Sequence, residues 1–194
     1  MGRSLASLVS ALFDPPIVAS ALLLVLTAHH MSSRTIAVRW AFVAVLFAGV
    51  IPLLYIAYEV ETHHFRGFDV PARRNRPGAF AMAALSGVAG FIVLLALGAP
   101  ADLLAALATV VLGLLGAAAI SLFWKISVHT STVSGAISIL AVAVSPAYLL
   151  LLPLVPLVAW ARLRTGAHRP SQVVTGALAG ACGGPVFWVI RAFL

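Results

Sequence analysis

Charge is what this chain has least of. Only 9% of its 194 residues are Asp, Glu, Lys or Arg, and five of those are acidic. A soluble domain carries about 25% charged residues, so water cannot be the main solvent here. Cysteine is nearly missing as well: Cys182 stands alone, which excludes an intramolecular disulfide, and no Cys or His spacing matches a zinc site. Ala6 occupies the position where N-myristoylation needs Ser or Thr. No small-residue cleavage site follows the first apolar stretch, which is therefore expected to stay as an anchor. Internal repeats and low-complexity tracts are lacking, and the longest polar connection, 59–77, is too short to fold by itself.

Apolar residues fill the space that charge leaves. They make up 62% of the chain, and mean hydropathy is +1.11. A bilayer crossing needs about 20 mostly apolar residues, and runs of that order recur from end to end. The pattern predicts an all-α, polytopic transmembrane helix bundle of six or seven spans, one integral membrane domain over residues 1–194. Asp14-Pro15-Pro16 is expected to open the first span, with Asp14 as cap, and residues 4–13 to form an interfacial helix beside it. Further spans are expected at about 40–58, 78–97 and 102–123, the last capped by Asp102. Ser145-Pro146 divides residues 126–161 into two helices of about 16 residues, and a final span covers about 171–189. In that last span Gly176, Gly180, Gly183 and Gly184 permit close helix packing.

Parity then sorts the connections. Residues 59–77, 124–130 and 162–170 are each two spans apart, so all three emerge on one face. That face gathers Arg66, Arg73, Arg74, Arg76, Lys125, Arg162, Arg164 and Arg169 with His63, His64, His129 and His168. The opposite face keeps Arg34, Arg39, Arg191 and Asp102. The net charge of +7 could in principle serve a nucleic acid. These bases have no extended soluble surface on which to line up, so no nucleic-acid partner is expected. A phosphate-bearing lipid is the natural anion for bases at membrane depth.

Three clusters carry candidate chemistry. Arg73 and Arg76 in the 59–77 segment suit phosphate, because guanidinium donates paired hydrogen bonds and stays charged. Glu59, Glu61 and Asp69 beside them are candidates for holding Mg²⁺ on a diphosphate. Lys125-Ile-Ser127-Val-His129 sets a cation, a hydroxyl and an imidazole at a span boundary. Arg162-Leu-Arg-Thr-Gly-Ala-His168-Arg169-Pro-Ser-Gln172 supplies a second imidazole among cations, and a neutral His beside phosphate can act as nucleophile or base. Each cluster alone could be a headgroup anchor. Their convergence on one face argues for a shared anion, since several like charges are costly to bury together without one.

At these residues the sequence resembles the type-2 phosphatidic acid phosphatase superfamily, six-helix membrane enzymes that dephosphorylate lipids through a phosphohistidine. Arg76-Pro77 is similar to the end of the family's first motif, Ser127 and His129 to its second, and Arg162 followed after five residues by His168 to its third; the likeness covers roughly 59–190. It departs at Asp69, where the family has lysine, at Ile126 and Val128, at Ala161 for serine, and at Gln172 for the aspartate that orients the nucleophile. The resemblance implies that His168 attacks phosphorus and His129 protonates the leaving alcohol. It also implies that Arg76, Arg162 and Ser127 grip phosphate and that Gln172 takes the orienting position; Lys125, Arg73 and Arg169 are expected as helpers that no family motif requires, and Asp69 is expected to orient Arg73 or Arg76.

Three functions stay open at this point. One is a lipid or isoprenoid phosphate or diphosphate phosphatase that needs no cofactor. A second is a terpene cyclase-like prenyl diphosphate enzyme, using Mg²⁺ at Glu59, Glu61 and Asp69, in which a binding site without its supporting acid expels a leaving group. The third is a non-catalytic lipid-phosphate-binding protein. The expected location is a bacterial cytoplasmic membrane, and the positive-inside rule places the basic face in the cytoplasm.

Overall fold

A computed structural model describes residues 2–30, 34–64 and 76–194, apart from the side chains of 2–4, 30, 34 and 76. Among the described residues the secondary structure is helical throughout. In chain order the helices are α1 (Gly2–Leu12), α2 (Pro15–His30), α3 (Arg34–Val45), α4 (Ile51–Glu61), α5 (Arg76–Ala96), α6 (Ala101–Phe123), α7 (Val128–Ala143), α8 (Leu154–Arg164), α9 (Pro170–Ala181) and α10 (Gly183–Arg191). A π-helical turn, Leu46–Val50, joins α3 to α4, and a 3-10 helix, Pro146–Leu151, leads into α8.

Five of the resulting rods are long and apolar enough to cross a bilayer: Thr35–Glu61, Pro77–Ala96, Ala101–Phe123, Pro146–Arg164 and Pro170–Arg191. The pair α1 and α2, bent by 47° at Phe13-Asp14, makes a sixth if it is counted as one span. Of the six to seven crossings expected, length and apolarity alone therefore account for five, or six with the bent pair. The helix that falls short of this measure is α7, whose 16 residues extend only about 24 Å. Leu85, Ile92, Leu112, Phe123, Leu178, Trp188 and Phe193 are exposed, the inverse of a water-soluble surface and the form a lipid-facing one takes.

Helix ends follow from local chemistry. Gly98 (φ 68°) and Gly166 (φ 71°) close α5 and α8 in the left-handed region that a side chain disfavours. After α5 the amides of Gly98 and Ala99 return to the carbonyls of Leu95 and Leu94. After α8 those of Gly166 and Ala167 return to Leu163 and Arg162. One expected cap is corrected. Pro100, not Asp102, holds the N-cap position of α6, and Asp102 in the first turn pairs instead with Arg191 of α10 at 2.6 Å. Asp14 precedes α2; its backbone carbonyl accepts from Ile17 and Val18 (2.9 and 3.0 Å), and its carboxylate lies 3.9 Å from the His129 ring. In the long rod Thr35–Glu61, Pro52 has no amide to donate and its ring crowds the carbonyl four residues back. The chain widens into the π turn just before it, and the hydroxyl of Ser86 on α5 donates to Phe47 O at 2.6 Å.

The centre of the bundle is α7, which touches α2, α6, α8, α9 and α10. Its seam with α9 repeats every four residues. Thr130 Oγ1 donates to Val173 O (3.0 Å), Ser134 Oγ to Ala177 O (2.8 Å) and Ser138 Oγ to Ala181 O (2.8 Å). The constant offset means that the two helices run parallel, with α8 returning the chain between them. Glycine makes this approach geometrically accessible: a Cβ on Gly176 or Gly180 would strike the backbone of Ser127 or Ser131. Gly180→Ala should therefore destabilise the bundle by about 1–3 kcal/mol, the usual cost of overpacking. Gly116→Ala on α6, with open space at its Cβ, should leave the unfolding midpoint in detergent unchanged or slightly raised.

Candidate functional site

The α7–α9 seam fixes where the chemistry sits, because both helices begin at the same end of the bundle. Ser127 is the fully buried N-cap of α7; its Oγ accepts from Thr130 N (3.5 Å) and its amide donates to Gln172 O (3.2 Å). Within the first turn of α7 comes His129, 8% exposed. On the other side, the Gly166 turn carries the chain from Arg162 back over its own carbonyl, which accepts from the amides of both Ala167 (3.1 Å) and His168 (3.3 Å). The five-residue spacing between Arg162 and His168 thus folds into a single closed turn that brings the guanidinium and the imidazole to one place. Lys125 locks this turn to the start of α7 by donating from Nζ to Ala167 O.

These groups open into one cavity of about 470 Å³. Lys125, His129, Arg162 and His168 line it, together with Asp14 from the corner between α1 and α2. Away from them the walls are mostly apolar, with Ala19 and Leu22 of α2, Pro52 and Ile56 of α4, Phe80 and Ala83 of α5, Leu107 and Leu114 of α6, and Ile139 of α7, interrupted by the hydroxyls of Thr109, Ser121, Ser131 and Thr132. One end is cationic and the remainder greasy, in the size range of pockets that enclose small organic ligands. Arg162 is 2% exposed, and taking such an ion out of water costs several kcal/mol unless partners offset it. Asp14 Oδ1 stands 3.9 Å from His129 Nε2, the distance of an ion pair when the ring is protonated.

The remaining residues singled out from the sequence fall elsewhere. Ser127 caps α7 and is absent from the cavity wall. Arg169 is exposed, at the N-cap position of α9, and Gln172 Oε1 accepts its amide (3.0 Å), so this side chain braces the helix start. Glu59 pairs with His64 (Oε2 to Nδ1, 3.2 Å) and Glu61 is exposed. Among the described residues no group of three or more His, Cys, Asp or Glu is placed to share a metal ion. Asp69 and Arg73 lie outside the described residues, as does the side chain of Arg76, whose backbone opens α5.

Two contributors escaped the sequence reading. Asp14 was assignable only as a helix cap, although the parity that sorts the basic loops also puts it on their face. Gly166 carries a visible signal, a glycine directly after the last helical residues of Arg162-Leu-Arg-Thr165. Comparison of the chain with protein-family models, with curated proteins and with solved structures finds no match.

Gly166→Val tests the turn. No atom lies within 4 Å of the new Cβ, so the penalty is purely that of the left-handed backbone, about 1–2 kcal/mol. The thermal midpoint in detergent should fall accordingly, and Gly166→Asn, which tolerates this conformation, should recover most of the loss.

Proposed function

We propose that this protein is a membrane-embedded phosphatase of a lipid or isoprenoid phosphate or diphosphate, working through a phosphohistidine. The observation that supports it most is the meeting of two histidines and two cations, drawn from separate stretches of chain, at one end of a single apolar cavity. A phosphate monoester with a greasy tail matches that division: the anion offsets Lys125 and Arg162 while the tail occupies the apolar remainder.

The chemistry requires few parts. His168 attacks phosphorus through a ring nitrogen, forming an N–P bond as the P–O bond to the lipid alcohol breaks. Arg162 and Lys125 neutralise charge gathering on the phosphoryl oxygens. His129 gives its proton to the departing oxygen. Water then attacks the phosphohistidine, its proton passing to His129, and orthophosphate leaves with both rings restored. Binding needs no divalent ion in this scheme, and Ser127 acts by holding the first turn of α7.

The direct test is incubation of purified protein in detergent with phosphatidate and with farnesyl diphosphate, with and without Mg²⁺. Metal-independent orthophosphate release is expected, with His129→Ala lowering turnover by about 10²–10⁴-fold and His168→Ala abolishing both turnover and the acid-labile phosphoenzyme. Normal turnover in His168→Ala would remove the phosphohistidine route. Mg²⁺-dependent pyrophosphate release with a rearranged hydrocarbon would replace it by carbocation chemistry.

The site is further proposed to face the cytoplasm across a bacterial cytoplasmic membrane, as the arginine count favours. Since α6 runs from Asp102 to the cavity end and Asp102 holds Arg191, the C-terminus belongs to the opposite face. Alkaline phosphatase fused after Leu194 should therefore be active and a fused green fluorescent protein dark; the reverse pattern inverts the assignment.

A further inference from the structure

Asp14 is the one carboxylate that lines the cavity among the described residues, and it comes from outside every basic segment. Its position is rigid. The amide donates to Ala11 O (3.3 Å), the carbonyl accepts the first two amides of α2, and Pro15 and Pro16 follow with fixed φ. The corner thus delivers an acid to the edge of His129, with Oδ1 3.9 Å from Nε2. The N-terminus of α2 favours the ionised form of that acid.

The surroundings of His129 otherwise oppose a charged ring. It is buried, which disfavours imidazolium. From the α6–α7 link comes Lys125, from α8 Arg162, and from the α8–α9 turn His168, all on the same cavity wall. The face of α9 against it offers Thr130's partner Val173, neutral Gln172 and glycine, with no ionisable group. Asp14 alone, arriving at the start of α2, pulls the other way.

Resting on the phosphatase reading above, we propose that Asp14 is a positioning residue that holds a proton on His129, so that His129 enters the reaction as acid while His168, among cations, enters neutral as nucleophile. The two rings are divided by their neighbours and not by their intrinsic chemistry. When the N–P bond forms at His168 and the P–O bond breaks, the proton held by Asp14 moves from His129 to the leaving oxygen. The acid that sustains the reaction therefore sits on the leaving-group histidine, through a residue some 115 positions upstream of it, as the numbering shows.

The test is a titration of ¹³C-histidine-labelled full-length protein in detergent, followed by NMR, with the His129 signal identified among the six histidines by its loss in His129→Gln. In the wild type His129 should titrate above the usual value of about 6.5. Asp14→Asn should lower that midpoint by about one pH unit or more, the size of effect an adjacent opposite charge exerts, and Asp14→Glu should restore most of it. With phosphatidate as substrate, the alkaline limb of kcat/KM should move to lower pH in Asp14→Asn, because the active form is the protonated ring. A merely structural Asp14 would lower the plateau and leave the limb in place. A wild-type midpoint at or below 6.5, or one unmoved by Asp14→Asn, overturns the proposal; should Asp14→Asn fail to fold, the wild-type titration decides alone. Because the titration needs no turnover, a raised midpoint in a protein that releases no phosphate would retire the phosphatase reading and leave the pairing of Asp14 with His129 standing.

Discussion

Everything at the cavity depends on how closely α7 and α9 approach. Hydrocarbon offers helices little reason to associate, since lipid tails are as apolar as leucine; contact must come from backbone proximity and from hydrogen bonds across the gap. Thr130, Ser134 and Ser138 supply donors at four-residue intervals, and α9 presents carbonyls at the same interval behind a glycine surface. Moving that seam apart by one methyl group would separate His129 from His168, because the first is anchored to the start of α7 and the second to the turn that precedes α9. The geometry of the cavity's polar end and the packing of helices in the membrane are here one constraint.

The second layer of organisation is electrostatic. Two groups of ions among the described residues sit at opposite ends of the bundle and are used in different ways. At one end Asp102 and Arg191 pair with each other at 2.6 Å, tying α6 to α10. At the other, Lys125 and Arg162 share a cavity with Asp14 and two histidines. The first arrangement is complete by itself; the second carries more positive than negative charge and so has room for an anion.

Much of this was legible from residues alone, and the exceptions have physical causes. Pattern length found the helices because bilayer thickness imposes it, and parity found the shared face because a chain crossing a membrane has only two sides to choose from. Length alone does not register α7 as a full crossing, because this hydroxyl-rich helix, shielded by five neighbours, is shorter than the hydrocarbon core. Lys125, His129, Arg162 and His168 were found because their segments stand out against an apolar background. Ser127 and Gln172 were assigned to phosphate and to histidine by resemblance; in the fold their oxygens serve helix starts, a demand that competes for the same atoms and that a linear motif cannot display. Asp14 was given only a capping role, since nothing local shows that its carboxylate reaches the ring of His129 on another helix.

The parallel run of α7 and α9 also bears on how the chain is made. Because α7 precedes α9 in the chain, its three hydroxyls enter the bilayer ahead of the carbonyls they finally bond. A threonine or serine in a helix has a temporary alternative, the carbonyl one turn back, which Thr27, Thr109 and Thr132 keep permanently in the finished structure. Insertion of α9 then supplies the cross-helix set, while Thr130 Oγ1 keeps a local contact with Ser127 O at 3.1 Å beside its bond to Val173 O. The two halves of the cavity's polar end are joined by that insertion, and the nascent protein carries no assembled site until nearly its last helix has been threaded into the membrane.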